Sequence, residues 1–384
     1  MEVSDEIVTE AVAWRRHLHQ YPELAYQEHR TSEFIASRLS KWGYSVHVGL
    51  AGTGVVGTLT RGSSRRSIGI RADMDALPIT EQTGVPHASR HAGIMHACGH
   101  DGHVAIALAA ARAAARLAGI DGTLHFIFQP AEEGEGGARR MVEEGVFRRF
   151  PCDSVYALHN WPALPIGTCV AQEGPVMAAS ATFEVVMSGR GCHGAMPQEG
   201  SDSILASSQL VCSLQSIVSR SVSPGAGAVV SVTQLHGGDT WNVIPDRCVI
   251  RGTARWLEES VGIVLERRIR QISASVAVAF GCEASVRFER RVPATVNDPE
   301  SARRVREVAG AHPGLTVVRA MASMGSEDFA CMLETTPGCY VWLGAKGEGN
   351  FCGLHSPRYD FNDELVPIGS TLWLALIRRS LAPP

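Results

Sequence analysis

The run HVAIALAAARAAARLAG, which begins at His103, constrains this chain more than any other segment, because so many alanines make helix the favoured conformation. A helix is predicted from about His103 to Leu117. Amphipathic helical periodicity precedes it, around Glu6 to His19 and Thr31 to Trp42. Apolar strand-like runs fall near Ser67 to Ile70, Thr123 to Phe128 and Ser154 to Leu158, with a last one at Cys339 to Gly344. Alternation of this kind marks an α/β fold, a central mixed sheet flanked by helices.

The middle of the chain has a different rhythm. ATFEVVMSGRG, AVVSVTQLHGG and CVIRGTARW alternate as strands, while Ser203 to Val222 and Ser260 to Phe280 have the period of long helices. Strand, helix, strands, helix, strand is the order of an α+β open-faced sandwich. The expected organisation is a discontinuous catalytic domain of residues 1–178 and 291–384, with residues 179–290 inserted as a second domain.

Composition excludes several classes. At 384 residues the chain can bury two cores, and its formal charge of -4 comes without a basic patch that could follow a phosphate backbone. Nucleic acid is therefore not an expected partner. No stretch of roughly eighteen residues lacks charges and turn formers, and MEVSDEIVTE has neither the basic residues nor the apolar run of a signal peptide, so a cytoplasmic protein without membrane contact is expected. Ten cysteines occur singly with no CxxC pair, the pattern of reduced, buried thiols.

Four segments carry chemistry. MHACGHDGH places Cys98 and His100 either side of Gly99 just before the Ala-rich helix, where an extended segment can aim both at one ion. QPAEEGEGGA puts Glu132 and Glu133 after a strand; neighbours there diverge, so one can ligate while the other serves as general base. His159 follows the strand Ser154 to Leu158 in ALHNWP, and His355 lies in GLHSPRYDFNDE. Each alone has an ordinary reading, a polar loop, an acidic turn or a structural histidine. Together, Cys98, His100, Glu133 (or Glu132), His159 and His355 are too many donors for one tetrahedral ion, and two ions sharing a ligand is the economical count. A Cys98 committed to metal would be a thiolate shielded from alkylating reagents until the ions are removed. RADMDALPI adds Asp73 and Asp75, which fit best as carboxylates holding the far nitrogen of a ligating imidazole.

In the inserted domain, His193 sits in the glycine-rich SGRGCHGAMPQEG, Asn242 in WNVIPD and Arg255 in RGTAR. An imidazole, a carboxamide and a guanidinium offer donors to an oxyanion and a substrate carboxylate. SMGSEDFA, around Gly325, Ser326, Glu327 and Asp328, is either a set of substrate contacts or a capped helix start.

These motifs, with RRHLHQYPELAYQE near the start, resemble metallopeptidase family M20 nearly end to end, in the branch of hippurate hydrolases, bacterial aminoacylases and plant auxin-conjugate hydrolases. The resemblance implies metal ligands at Cys98, His100, Glu133, His159 and His355, and assigns the general base to Glu132. It further implies that His193 stabilises the tetrahedral oxyanion, in its own or the neighbouring subunit's site, that Asn242 and Arg255 bind the substrate carboxylate, and that the inserted domain makes a homodimer or higher homo-oligomer. Two divalent ions, zinc, manganese, cobalt or nickel, are the implied cofactors, and Cys98 and Asp73 stand where other members of the family carry an aspartate and a histidine. The implied reaction is hydrolysis of an N-acyl-L-amino acid to a carboxylate and a free amino acid. A dipeptidase or N-acetyl-diamino-acid deacetylase would use the same scaffold. A non-catalytic binding protein would have no use for Glu132, and a thiol redox enzyme would need a resolving cysteine near Cys98.

Overall fold

A computed structural model describes residues 2–347 and 352–383. Two compact units emerge. One takes the chain up to Gly174, Val296–Met321 and everything from Asp328 onward; the other takes Pro175–Thr295 together with Ala322–Glu327. The return of Ala322–Glu327 to the second unit is foreshadowed by no periodicity in the sequence.

The first unit is built on an eight-stranded sheet in the order Ser45–Leu50, Gly54–Arg61, Gly122–Gln129, Ser67–Asp73, Ser154–Pro165, Gly338–Lys346, Thr168–Val170, Thr316–Val317. The third to sixth of these run parallel, and antiparallel pairings outside them make the sheet mixed. Ser67–Asp73 is buried at every position, as a strand covered on both faces must be. The Ala-rich helix spans His100–Ala114 and is buried everywhere except Ala113. Its small side chains and Gly102 allow that: a Cβ on Gly102 would come within 2.2 Å of the Phe361 ring. The helix packs against Asp5–Gln20, Leu365–Leu381 and the strand Ser67–Asp73. It begins three residues before the sequence expectation because Gly99, at φ 92°, turns the chain into it through a conformation that costs glycine little.

A buried ionic cluster ties the first helix to the start of this one. Arg15 and His19 are fully buried. His19 Nδ1 lies 2.8 Å from Asp101 Oδ2 and Nε2 lies 3.3 Å from Glu81 Oε1. Burial alone would push the His19 pKa down, yet Asp101 and Glu81 outweigh it and raise it to about 9. Burial likewise opposes ionisation of Glu81, but hydrogen bonds from His19, Thr83 and the Ser89 amide bring it down to about 2. The His19 contribution to stability is therefore complete below its ordinary 6.5 and is lost as pH rises through about 9; that of Glu81 is complete above 4.5 and lost as pH falls towards 2. Thermal unfolding followed by circular dichroism should show stability dropping by about 2 kcal/mol between pH 6.5 and 9. A His19→Gln variant should lose that slope. An unchanged slope in the variant would place the titration elsewhere.

The second unit holds a four-stranded antiparallel sheet, ordered Ala228–Gly237, Arg247–Trp256, Ala179–Ser188, Glu283–Val292. Along Arg247–Trp256, Cys248, Ile250, Gly252, Ala254 and Trp256 are buried while their neighbours are less so, the alternation of a sheet covered on one face. Helices Ser203–Leu214 and Glu259–Ala279 supply the cover, packing Ala206, Leu210, Leu265 and Ile269 into a core of its own. Asp202 caps the first of them, accepting from the Leu205 amide at 2.9 Å. Among the described residues no helix of either unit is long and apolar enough to cross a membrane.

Candidate metal centre

Parallel strands deliver whatever follows them to one edge of a sheet. Asp73 ends one strand, Glu132 and Glu133 come just after Gly122–Gln129, and His159 lies in Ser154–Pro165. That last strand runs past the predicted end at Leu158, because its ladder with Gly338–Lys346 continues through Trp161 opposite Gly344. Cys98 and His100 enter from the loop and first turn of the Ala-rich helix, and the His355 amide donates to the Ala97 carbonyl at 2.8 Å, docking the His355 loop beside Cys98. Two residues here, Ala131 at φ 56° and His355 at φ 64°, hold left-handed backbone that side chains disfavour, a strain that collects where geometry must be exact for function.

The five expected ligands come together around one sulfur. Donor atoms of Cys98, His100 and His159 lie within 4.8 Å of one another, and so do those of Cys98, Glu133 and His355. Cys98 Sγ is 3.3 Å from His159 Nε2, and His355 Nε2 is 3.2 Å from Glu133 Oε1. Glu132 groups with His100 and Glu133, half-buried, accepting from the Asp328 amide at 3.4 Å.

The imidazoles are oriented as ligands should be. His100 Nδ1 donates to the Asp75 carbonyl at 2.9 Å, with the Asp75 carboxylate 3.2 Å away, and Nε2 is buried without a hydrogen-bond partner among the described residues. His159 Nδ1 donates to the Asn160 carbonyl at 2.8 Å, leaving Nε2 turned to the sulfur. A buried imidazole held at one nitrogen, with the other turned inward, fits a cation once that second nitrogen gives up any proton it carries. The charges agree. Burial, then Glu133, Glu132 and Asp73, push the Cys98 thiol well above its usual range. Burial would lower His100, but Asp73, Asp75 and Glu133 outweigh it and raise it to about 10. Carboxylates in excess, holding protons on a thiol and an imidazole, describe a site that gives up those protons to a metal ion. The same burial and carboxylates oppose a free thiolate at Cys98, which argues against the expectation of a reactive sulfur once metal is removed.

Asp75 lies against the far nitrogen of His100, as expected of it, and its Oδ2 also accepts from the Glu133 amide at 3.0 Å. Asp73 holds a different histidine. Its Oδ1 accepts from His103 Nδ1 at 2.6 Å and its Oδ2 from Arg71 Nη1 at 2.7 Å, while His100 Nε2 is 3.9 Å off. Arg71 continues to Gln129 Oε1 at 2.7 Å and Asp328 Oδ1 at 3.2 Å. On the other side the Asn160 amide donates to His103 Nε2 at 3.1 Å, and Asn160 Nδ2 donates to Tyr359 Oη at 2.7 Å. This buried frame of Arg71, His103, Asn160, Tyr359 and Asp328 was not read from the sequence. An arginine within the apolar run before Asp73 was the one signal that could have disclosed it. Asp328, a candidate for substrate contact, also accepts from the Ala138 amide at 2.8 Å and is spent inside the protein.

His193, Asn242 and Arg255 belong to the second unit. His193 pairs with Val243 in a short ribbon, where the Gly194 amide donates to the Asn242 carbonyl at 2.7 Å, so the two residues are neighbours and both are exposed. Trp241 beside them is fully exposed. Arg255 stands on the strand Arg247–Trp256, half-buried, donating to Ser326 Oγ at 2.7 Å.

The profile of peptidase family M20/M25/M40 matches residues 69–379. The chain is 39% identical over 354 residues to N-acetyl-L-cysteine deacetylase of Bacillus subtilis, covering 92% of this chain and 83% of that one. It is 37% identical over 369 residues to hippurate hydrolase of Campylobacter jejuni, covering 96% and 95%. Among solved structures, a dinuclear metal-binding peptidase of family M20 from Bacillus subtilis superposes with a TM-score of 0.87 at 34% identity, covering 98% of this chain and 99% of that one.

Proposed function

The chain belongs to peptidase family M20/M25/M40, and from that premise we propose that it is a metal-dependent amidohydrolase cleaving N-acyl-L-amino acids, hippurate-like or N-acetyl, into a carboxylate and a free amino acid. The observation that carries this reading is the convergence of Cys98, His100, Glu133, His159 and His355 beside a further carboxylate, Glu132. Those five residues would hold two divalent ions, with Cys98 common to both groups of donors. Bound ions would polarise the scissile carbonyl and bring the pKa of a water from ~15.7 to about 7. Glu132 takes the proton of the attacking water and returns it to the leaving amine. Thiolate with imidazole suits zinc or cobalt, while the imidazoles also accommodate nickel and the carboxylate manganese.

His193 then donates to the tetrahedral oxyanion, and Asn242 and Arg255 to the substrate carboxylate. An exposed imidazole beside a fully exposed Trp241 suits a surface completed by another copy, so the second unit is assigned dimerisation, in a homodimer or larger homo-oligomer. Ten unbridged cysteines suit a reducing compartment, the cytoplasm.

The test is a panel of hippurate, N-acetyl amino acids, indole-acetyl conjugates and dipeptides, read as release of free amino acid. An N-acyl amino acid should exceed every dipeptide by at least about tenfold in kcat/KM, on the order of 1.4 kcal/mol of transition-state binding. Dipeptides as the best substrates would favour the peptidase reading. For His193, mixing an inactive Glu132→Gln protein with an inactive His193→Ala protein should regenerate activity through heterodimers with one intact site. Subunit exchange verified by tagged pull-down, without recovered activity, rules out action across the subunit boundary.

A further inference from the structure

The strands that carry the donors have a second end. Where Ser67–Asp73 and Ser154–Pro165 begin, roughly 17 Å along the strand from His159, a cavity of about 370 Å³ opens between the sheet and the helices Pro299–Gly310 and Leu365–Leu381. None of its lining residues takes part in the chemistry proposed above.

Two features make it more than a crevice. Ser154 and Ser380 line it as residues 4% and 9% exposed, and neither hydroxyl has a hydrogen-bond partner among the described residues. A buried hydroxyl without a partner is costly, and two on one cavity point to something that accepts from them. The second feature is charge: four arginines line the space against three carboxylates. Their engagement differs. Arg303 is taken by Glu300 and Glu307, Arg66 by the Ser380 and Ala382 carbonyls, and the Asp153 carboxylate by the Ser67 amide. Among the described residues Arg304 has a 3.6 Å approach to Glu300 and a 3.5 Å contact with Tyr156 Oη, and Arg379 a 3.9 Å approach to Glu307. Two guanidinium forks with loose partners and two buried hydroxyls form a set of donors short of an acceptor. The acceptor that matches paired forks and hydroxyls together is a tetrahedral oxyanion of charge near two.

We propose that this cavity is an anion site for a phosphate group, carried by a small phosphate monoester or free in solution, at the end of the sheet remote from the metal centre. The volume accommodates a small metabolite rather than a bare ion alone.

Titration calorimetry of the metal-loaded enzyme with inorganic phosphate, at constant ionic strength, tests it. One saturable site with a Kd below about 1 mM is expected, accompanied by a melting temperature raised by roughly 3 °C at saturation. The double variant Arg304→Gln/Arg379→Gln should weaken binding by at least about tenfold and Ser154→Ala by about fivefold, with amide hydrolysis unchanged in both. Arg379 is largely exposed, so Arg379→Gln alone gives a variant whose folding is not at risk and which should also weaken binding. Glycerol phosphate binding more tightly than inorganic phosphate identifies the monoester as the ligand class; the reverse identifies free phosphate. Absence of saturable binding up to about 10 mM overturns the proposal. So does binding that all the variants leave intact, since the phosphate would then sit elsewhere, the metal centre included.

Discussion

Replacing Glu132 by Gln should lower kcat for amide hydrolysis by at least ~100-fold, with near-normal metal content and little change in KM. The amide keeps the size of the carboxylate and an oxygen that can accept from the Asp328 amide, so what it removes is basicity. The proposed division of roles rests on a difference in how the two glutamates are held. Its neighbour Glu133 has Oε1 3.2 Å from His355 Nε2 and its amide pinned to Asp75, whereas Glu132 lies beside His100 and Glu133 without belonging to either group that contains Cys98. The left-handed backbone at Ala131 turns the chain at this point, letting adjacent carboxylates serve different ends. Elemental analysis beside steady-state kinetics decides the matter. A variant that loses its metal would mean that the roles of Glu132 and Glu133 are exchanged, and one with normal kcat would leave the reaction without its base.

The contrast between those two glutamates shows what a sequence can disclose about such a centre. Cys98, His100, Glu133, His159 and His355 are legible as candidate donors because each lies after a predicted strand or just before a predicted helix, and an open sheet gathers such positions at one edge. Which carboxylate faces His355 depends on a left-handed turn at an alanine, and no spacing rule announces that. The frame beneath the donors is still less legible. Arg71 and His103 acquire their partners from Asp73, Asp328 and Asn160, contacts set by the packing of remote segments. The fold follows the same division. The Ala-rich helix and the central strands are dictated by local composition, but the start of that helix at His100 depends on Gly99, where a Cβ would come within 2.3 Å of Asn160 Oδ1, and the extra length of Ser154–Pro165 on pairing with a strand far along the chain.

Chelation should abolish amide hydrolysis, and zinc, manganese, cobalt or nickel should restore it, because the proposed reaction draws its nucleophile from a water whose pKa a bound cation lowers. Full activity in protein shown to be metal-free would end the metal mechanism. Cys98 allows a sharper test, since it is common to both donor groups and the only sulfur in either. Alkylation reads it poorly, as Cys98 is buried and its thiol is pushed well above its usual range. Cobalt is a better probe. A thiolate bound to cobalt(II) gives a sulfur-to-metal charge-transfer absorption that oxygen and nitrogen ligands do not give. Cobalt-loaded protein should show that band, and Cys98→Ala should lack it while the other nine cysteines remain. The same substitution should cut hydrolysis by at least ~100-fold, because losing the shared donor disturbs both ions together. Glu132→Gln should keep the band, separating loss of the base from loss of the centre. A band of equal strength in Cys98→Ala would remove Cys98 from the ligand set, and the centre would then have to be rebuilt around Asp73, which already stands 3.9 Å from His100 Nε2.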